Sequence, residues 1–211
     1  HSFLLDCGTA SSHSPWLGYD SVAPDYRYIF GEQNLFAWLD DILLSHGHED
    51  HIGGLPLFLK HCPKKVRLHA TPFSAELIRK KLGEYPSVKQ YWELHVHKQA
   101  EEFSLGPWKV KYFFNNHSIY DSNCMLFNLD GFKVFHTGDF RLDKTTYKDP
   151  SFAIEKVLQA EGTIDLMMAD STNAERLGWS LSEGDIGDQF EQIIANSQKA
   201  VVVSLFASNV R

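Results

Sequence analysis

The chain has 211 residues, 43% of them hydrophobic, and a formal net charge of −7 at pH 7. This is enough for one domain with a substantial core, or a little more than one. The sequence contains no apolar run long enough to cross a bilayer and no charged-then-apolar leader, so we expect a soluble protein without a membrane partner; the acidic balance weakens a nucleic-acid-binding interpretation.

The first half of the chain alternates between strand-like and helix-like patterns. Apolar runs predict strands at residues 3–5, 42–44 and 66–70. Apolar residues at helical spacing predict a helix over 32–41, and a short helix is expected over 55–59. Thr71 and Pro72 are a capping hydroxyl and a first-turn proline, which predict a helix that ends at Gly83. His95 and His97 alternate with apolar residues, so we expect them on the polar face of an edge strand, outside any site.

The second half is richer in strands. From Phe103 onward apolar and polar residues alternate, which predicts strands through residue 114. Asp130-Gly131 lies between two apolar strands and predicts a hairpin. A further apolar strand is expected at 164–169 and a buried strand at 200–206. Strands and helices alternate, which indicates an α/β or mixed α+β fold. The three cysteines are widely spaced and form no C-x-x-C pair, which favours a reducing compartment and no disulfide framework.

A cluster of metal-type ligands follows the strand at 42–44. Ser45-His46-Gly47-His48-Glu49-Asp50-His51 places three imidazoles and two carboxylates within six positions. His46 and His48 can point to one side of an extended segment, while Asp50 and His51 face a neighbouring point once the chain turns into a helix. Imidazole and carboxylate are ligands that zinc selects, and two ligand pairs suggest two metals.

Several predicted strands end directly in such a ligand. The residues are Asp6, His46, His117, Asp139 and Asp170. If the strands lie side by side, these side chains converge on one edge. Two divalent ions would add about four positive charges there, so the local field can differ in sign from the net charge.

The pattern His-x-His-x-Asp-His at 46–51 resembles the signature of the metallo-β-lactamase superfamily. The runs His-Ser-Ile at 117–119, His-Thr-Gly-Asp-Phe at 136–140, Asp-Ser-Thr-Asn-Ala-Glu-Arg at 170–176 and Phe-Ala-Ser-Asn at 206–209 are similar to the ribonuclease J group, which carries a β-CASP domain. The resemblance implies a four-layer αββα sandwich, incomplete here. Residues 1–199 would be a metallo-β-lactamase domain without its first strands, and 200–211 would start the β-CASP domain.

Three positions depart from the ribonuclease J pattern. Tyr120 stands where the family has proline, Arg141 where lysine is more frequent, and Val210-Arg211 where a His-Arg pair is usual. The remainder of the β-CASP domain and the last ligand histidine of the family would lie beyond the sequence given.

The resemblance implies a site that holds two zinc ions, with manganese or magnesium as alternatives. His46, His48 and His117 would bind one ion, Asp50 and His51 the other, and Asp139 would bridge both. Asp50 and Asp170 would be catalytic. Asp6 and His136 would orient ligands. The hydroxyl residues Ser118, Ser171 and Thr172 would contact phosphate, although each also suits a turn or a helix cap.

The implied activity is a zinc-dependent ribonuclease in which a metal-activated hydroxide attacks the phosphodiester. Its partner would be single-stranded RNA with a 5′-monophosphate, in the cytoplasm, and the protein would form a homo-oligomer. Two alternatives stay open, a metallo-hydrolase of a small thioester, lactone or lactam, and a non-catalytic subunit of an RNA-processing complex. The mode of cleavage, exonucleolytic or endonucleolytic, also stays open, as does the preference for RNA or DNA.

Overall fold

The computed structural model describes residues 2–11, 18, 21–31, 35–143, 145 and 154–207. The strands are β1 Ser2–Leu5, β2 Ala10–Ser11, β3 Ser21–Val22, β4 Leu39–Leu43, β5 Val66–Ala70, β6 Trp92–Val96, β7 Glu102–Leu105, β8 Trp108–Phe114, β9 Asn123–Leu129, β10 Phe132–His136 and β11 Leu166–Met168. The α-helices are α1 Arg27–Phe30, α2 Glu49–Ile52, α3 Leu55–Lys60, α4 Pro72–Gly83, α5 Ile154–Glu161 and α6 Glu183–Asn196, and two 3₁₀-helices span Leu35–Trp38 and Pro86–Tyr91.

Two large sheets form the centre of the fold. The first has the order β1-β4-β5-β6, and all of its neighbouring strands are parallel. The second has the order β11-β10-β9-β8-β7; it is antiparallel except for the β10–β11 pair. A third, two-stranded sheet consists of β2 and β3. The hairpin expected at Asp130-Gly131 is confirmed, since it joins β9 to β10.

Three apolar clusters hold the layers together. Phe58 of α3 and Ile78 of α4 pack with Leu68 on the outer face of the first sheet. Between the sheets, Leu43 of β4 packs with residues of the second sheet such as Tyr112. On the far face of the second sheet, Val157 of α5 packs against a small cluster of buried residues. The result is helix, sheet, sheet, helix, which confirms the αββα sandwich.

The helix expected over residues 32–41 is wrong in its described part, while residues 32–34 lie outside the described residues. A single 3₁₀ turn, Leu35–Trp38, leads directly into β4. This strand has parallel neighbours on both sides, β1 and β5, so its ladder hydrogen bonds outweigh the local helical periodicity. Asp41 of β4 is fully buried, and the Arg67 side chain donates two hydrogen bonds to its carboxylate.

The strand expected at residues 200–206 is also wrong. These residues have no strand assignment, and Val202 and Phe206 are 91% and 80% exposed. A strand forms only when a neighbour pairs with its backbone, and apolar composition alone cannot provide one. The strand expected at 164–169 is confirmed but shorter, as β11. Among the described residues, no helix combines the length and the apolar character needed to span a membrane.

The edge position of β6 is confirmed, but His97 is not on its polar face. His97 follows β6 and is only 9% exposed. Its Nε2 lies 2.9 Å from Nδ1 of His69, and its ring stacks on Phe103. His97 therefore packs between the two sheets as part of the core.

Candidate metal centre

The histidine-rich segment leaves the first sheet at the carboxyl end of β4. His46 is fully buried. His48 has an extended backbone, with φ −71° and ψ 154°, and is the N-terminal capping residue of α2. The single turn of α2 then carries Asp50 and His51. The predicted change from extended chain to helix within the motif is therefore present.

Three imidazoles from two sheets meet at this edge. His117 follows β8 of the second sheet, whereas His46 and His48 follow β4 of the first. His46 Nε2 lies 3.0 Å from His48 Nδ1, and His48 Nδ1 lies 3.2 Å from His117 Nε2. These three residues offer nitrogen atoms that are all within 4.8 Å of one another.

A second group adjoins the first and shares His46 with it. His46, His51 and Asp139 offer ligand atoms within 4.8 Å of one another. His51 Nε2 lies 3.3 Å from Asp139 Oδ2, and His117 Nε2 lies 3.7 Å from the same oxygen. Asp139 comes from the loop after β10. Its carboxylate belongs to the second group and also lies near His117 of the first.

Two residues that sequence reasoning did not single out hold these groups in place. The hydroxyl of Ser45 lies 2.8 Å from Asp6 Oδ2 and 3.0 Å from His46 Nδ1. Asn115 Nδ2 donates to the backbone oxygen of Asp139 at 3.1 Å. The sequence does offer one signal for Ser45, because its hydroxyl comes directly before His46. Asn115 has no such signal, because its partner lies 24 residues away.

Burial and neighbouring charge divide the histidines into two kinds. Burial lowers the pKa of His46 well below its ordinary value, and that of His48 as well. Burial also lowers the pKa of His117 to about 4. For His51, burial lowers the pKa, but hydrogen bonds to Asp139 and Asp6 outweigh it and raise the pKa to about 10. Three imidazoles are thus neutral at pH 7, with nitrogen lone pairs that can bind a cation.

Asp6 and Asp50 occupy different positions at the cluster. Asp6 lies at the carboxyl end of β1, and its Oδ2 is 2.8 Å from His51 Nδ1. Asp50 is farther out: its side chain is 65% exposed, and its Oδ2 lies 3.7 Å from His51 Nε2. The carboxylate of Asp50 therefore stands on the open side of the cluster.

His136 and Asp170 shape the two loops that adjoin Asp139. The N–H of Gly138 donates to His136 Nδ1 at 3.1 Å. The N–H of Asp170 donates to the hydroxyl of Thr137 at 3.0 Å, and the Asp170 carboxylate accepts from the backbone and hydroxyl of Thr172. The carboxylate of Asp170 thus binds its own loop, while its backbone joins the loop that carries Asp139.

The three predicted hydroxyl residues are not grouped together. Ser118 follows His117 directly and is half-buried. Ser171 and Thr172 are exposed in the loop after β11. The Thr172 hydroxyl lies 2.6 Å from Asp170 Oδ1, which is the contact expected for a turn residue.

The donor set fits a divalent cation. A tetrahedral zinc ion with bonds of about 2.0–2.1 Å to nitrogen requires ligand atoms roughly 3.3 Å apart. The two nitrogen–nitrogen separations in the first group, 3.0 and 3.2 Å, differ from this by a few tenths of an ångström. A site of neutral imidazoles beside a carboxylate also favours zinc over magnesium.

Comparison with known proteins shows the family. A family model described as a β-lactamase superfamily domain matches residues 1–189. The chain is 31% identical to Ribonuclease J of Mycoplasma pneumoniae over 207 residues, which are 98% of this chain and 36% of that protein. It is 32% identical to Ribonuclease J of Corynebacterium glutamicum over 208 residues, which are 98% of this chain and 28% of that protein. The chain thus spans about a third of the length of these curated relatives.

Solved structures show the same fold. A protein of unknown function from Enterococcus faecalis V583 matches with a TM-score of 0.55 and 15% identity, over 89% of this chain and 44% of that one. The metallo-β-lactamase fold protein YhfI from Bacillus subtilis matches with a TM-score of 0.50 and 17% identity, over 79% of this chain and 58% of that one. At these identities the likeness concerns the fold alone.

Proposed function

Because the chain belongs to the β-lactamase superfamily, we propose that it forms the metal-binding part of a hydrolase that cleaves phosphodiester bonds in RNA. The observation that carries this proposal is the pair of ligand groups that share His46 at the edge where strands of both sheets end. The names of the curated relatives, Ribonuclease J, support RNA as the substrate.

We assign the ligands to two zinc ions. His46, His48 and His117 would hold one ion, and His51 with Asp50 the other. Asp139 would reach both, since its Oδ2 lies 3.3 Å from His51 Nε2 and 3.7 Å from His117 Nε2. Divalent ions held there would supply positive charge against the phosphoryl oxygens and would activate water for attack.

The protein's own residues would bind and orient the reactants. Asp50 is exposed on the open side of the cluster, where its carboxylate can orient the attacking water and accept its proton. Ser118 adjoins His117, and we propose that its hydroxyl contacts a substrate phosphate. Asp170 would act by holding the loop of Ser171 and Thr172 beside the loop of Asp139.

The finer points of the proposal come from the family resemblance. We propose single-stranded RNA with a 5′-monophosphate as the substrate, a cytoplasmic location and a homo-oligomeric state. The chain spans about a third of its curated relatives, so these statements concern the activity of a protein that includes this unit.

The proposal can be tested with three substrates and one matched pair of variants. Zinc-loaded protein is incubated with 5′-monophosphorylated RNA, a chromogenic phosphodiester and a thioester. Asp50→Ala should lower the rate of RNA cleavage by about 10²–10⁴-fold, the usual contribution of a positioned acid–base group. Glu49→Ala is the control, because Glu49 is the neighbouring exposed carboxylate and its ion pair is with Lys81. Turnover of the thioester alone, or RNA cleavage that is unaffected by Asp50→Ala, would contradict the proposal.

A further inference from the structure

Ser45 touches three residues of the candidate metal centre at once. Its side chain is fully buried. Its hydroxyl oxygen lies 2.8 Å from Asp6 Oδ2, 3.0 Å from His46 Nδ1 and 3.3 Å from His51 Nδ1. Its backbone N–H donates to Asp6 Oδ1 at 2.8 Å. Ser45 is therefore bound to both carboxylate oxygens of Asp6.

The protons in this group can be assigned from the number of donors that each residue has. A carboxylate such as that of Asp6 can only accept hydrogen bonds, and a serine hydroxyl has a single proton. Two groups reach Asp6 Oδ2 at 2.8 Å, the Ser45 hydroxyl and His51 Nδ1, so both must donate to it. The hydroxyl of Ser45 has then used its only proton, and toward His46 its oxygen can only accept.

This assignment determines the tautomer of His46. Since the Ser45 oxygen accepts, Nδ1 of His46 must carry a proton. In a neutral imidazole the other nitrogen, Nε2, then has the free lone pair, and this atom lies 3.0 Å from His48 Nδ1 inside the first ligand group. In His51, Nδ1 donates its proton to Asp6. The other ring nitrogen, Nε2, lies next to Asp139.

We propose that Ser45 is a positioning residue that extends the hydrogen bonding of Asp6 to His46. One carboxylate would then set the tautomer of His46 and the ring orientation of both candidate ligands, His46 and His51. The consequence for metal affinity rests on the proposed function. The tautomer itself does not, because it is a property of the metal-free protein. Groups that hold the second nitrogen of a ligating histidine change metal affinity by about 10–100-fold when they are removed.

The direct test is the tautomer of His46 in metal-free protein. Long-range ¹H–¹⁵N correlation spectra of ¹⁵N-histidine-labelled protein distinguish an Nδ1–H from an Nε2–H imidazole. We expect Nδ1–H in the wild type and in Ser45→Thr, which keeps the hydroxyl, and a shift toward Nε2–H in Ser45→Ala. A wild-type His46 that carries its proton on Nε2 would overturn the proposal without any variant.

Zinc affinity, measured by competition with a chelator, gives the second readout. Ser45→Ala should bind zinc about 10–100-fold more weakly, and Ser45→Thr should bind nearly as the wild type. Ser74→Ala is the matched control, because Ser74 has a buried hydroxyl without a hydrogen-bond partner among the described residues. Unchanged affinity in Ser45→Ala would overturn the proposal. A protein that does not cleave RNA would refute the proposed function but would leave the tautomer result standing.

Discussion

Gly8 lies where the loop after β1 crosses α2, the turn that carries Asp50 and His51. A Cβ atom at Gly8 would lie 1.5 Å from the backbone oxygen of Asp50 and 2.1 Å from its carbonyl carbon. Non-bonded heavy atoms require about 3.5 Å, so in Gly8→Ala the loop and α2 must separate by about 2 Å. The obstacle is backbone, which cannot rotate away as a side chain could.

The cost can be worked from the hydrogen bonds that join the two segments. Cys7 N–H donates to His51 O at 2.7 Å, Thr9 N–H to Glu49 O at 3.2 Å, and Gly54 N–H to Cys7 O at 2.8 Å. At about 1 kcal/mol each, their loss lowers the free energy of unfolding by about 3 kcal/mol. For a chain of this size that corresponds to a fall in Tm of about 6–12 °C. Zinc affinity should fall at least about tenfold, because the two proposed ligands Asp50 and His51 move.

Gly83→Ala is the control for this experiment. Gly83 ends α4, and a Cβ atom there would meet nothing within 4 Å. Alanine in a helix is about 0.5–1 kcal/mol more favourable than glycine, so Tm should rise slightly. Calorimetry and a zinc titration measure both variants. If Gly8→Ala kept the wild-type Tm and zinc affinity, the close contact between this loop and α2 would be refuted.

Two further predictions concern pH and metal. Burial lowers the pKa of His97 from 6.5 to about 4, so the unfolded chain binds more protons between these values. The free energy of unfolding should therefore fall by up to about 3 kcal/mol as the pH drops from 6.5 to 4. In His97→Gln, urea unfolding should show a weaker dependence of this free energy on pH. An equal pH dependence in the variant and the wild type would count against burial of His97 as the cause. Zinc at 100 times its Kd should stabilise the chelator-treated wild type by about 2.7 kcal/mol. His117→Ala should lose most of that gain and the exposed His61→Ala none, so equal gains in both variants would exclude His117 as a ligand.

Much of the candidate site follows from local sequence. The spacing of His46, His48, Asp50 and His51 already requires an extended segment followed by a helical turn, and α2 has this form. His117 follows β8 and Asp139 follows β10. Both therefore lie at the edge of the packed sheets where His46 follows β4. Asp170 shows the limit of this argument: it also follows a strand, but its carboxylate binds Thr172.

Other features depended on residues far apart in the chain. The stripe at 32–41 has helical periodicity, yet β4 is a strand because β1 and β5 pair with it on both sides. Glycine is required at position 8 by the backbone of Asp50, a residue far from it in the chain. Hydrogen bonds across 39 residues join Ser45 to Asp6.

The sequence by itself thus determined the kind of ligands, their spacing and the mixed α/β class, because these depend on residue chemistry and on local periodicity. The layered sandwich was expected only from the family resemblance. Only the tertiary structure decided that His46 belongs to both ligand groups and that Ser45 connects it to Asp6. The physical reason is that hydrogen bonds and close backbone contacts depend on distances of a few ångströms between segments, and no local pattern in the chain encodes those distances.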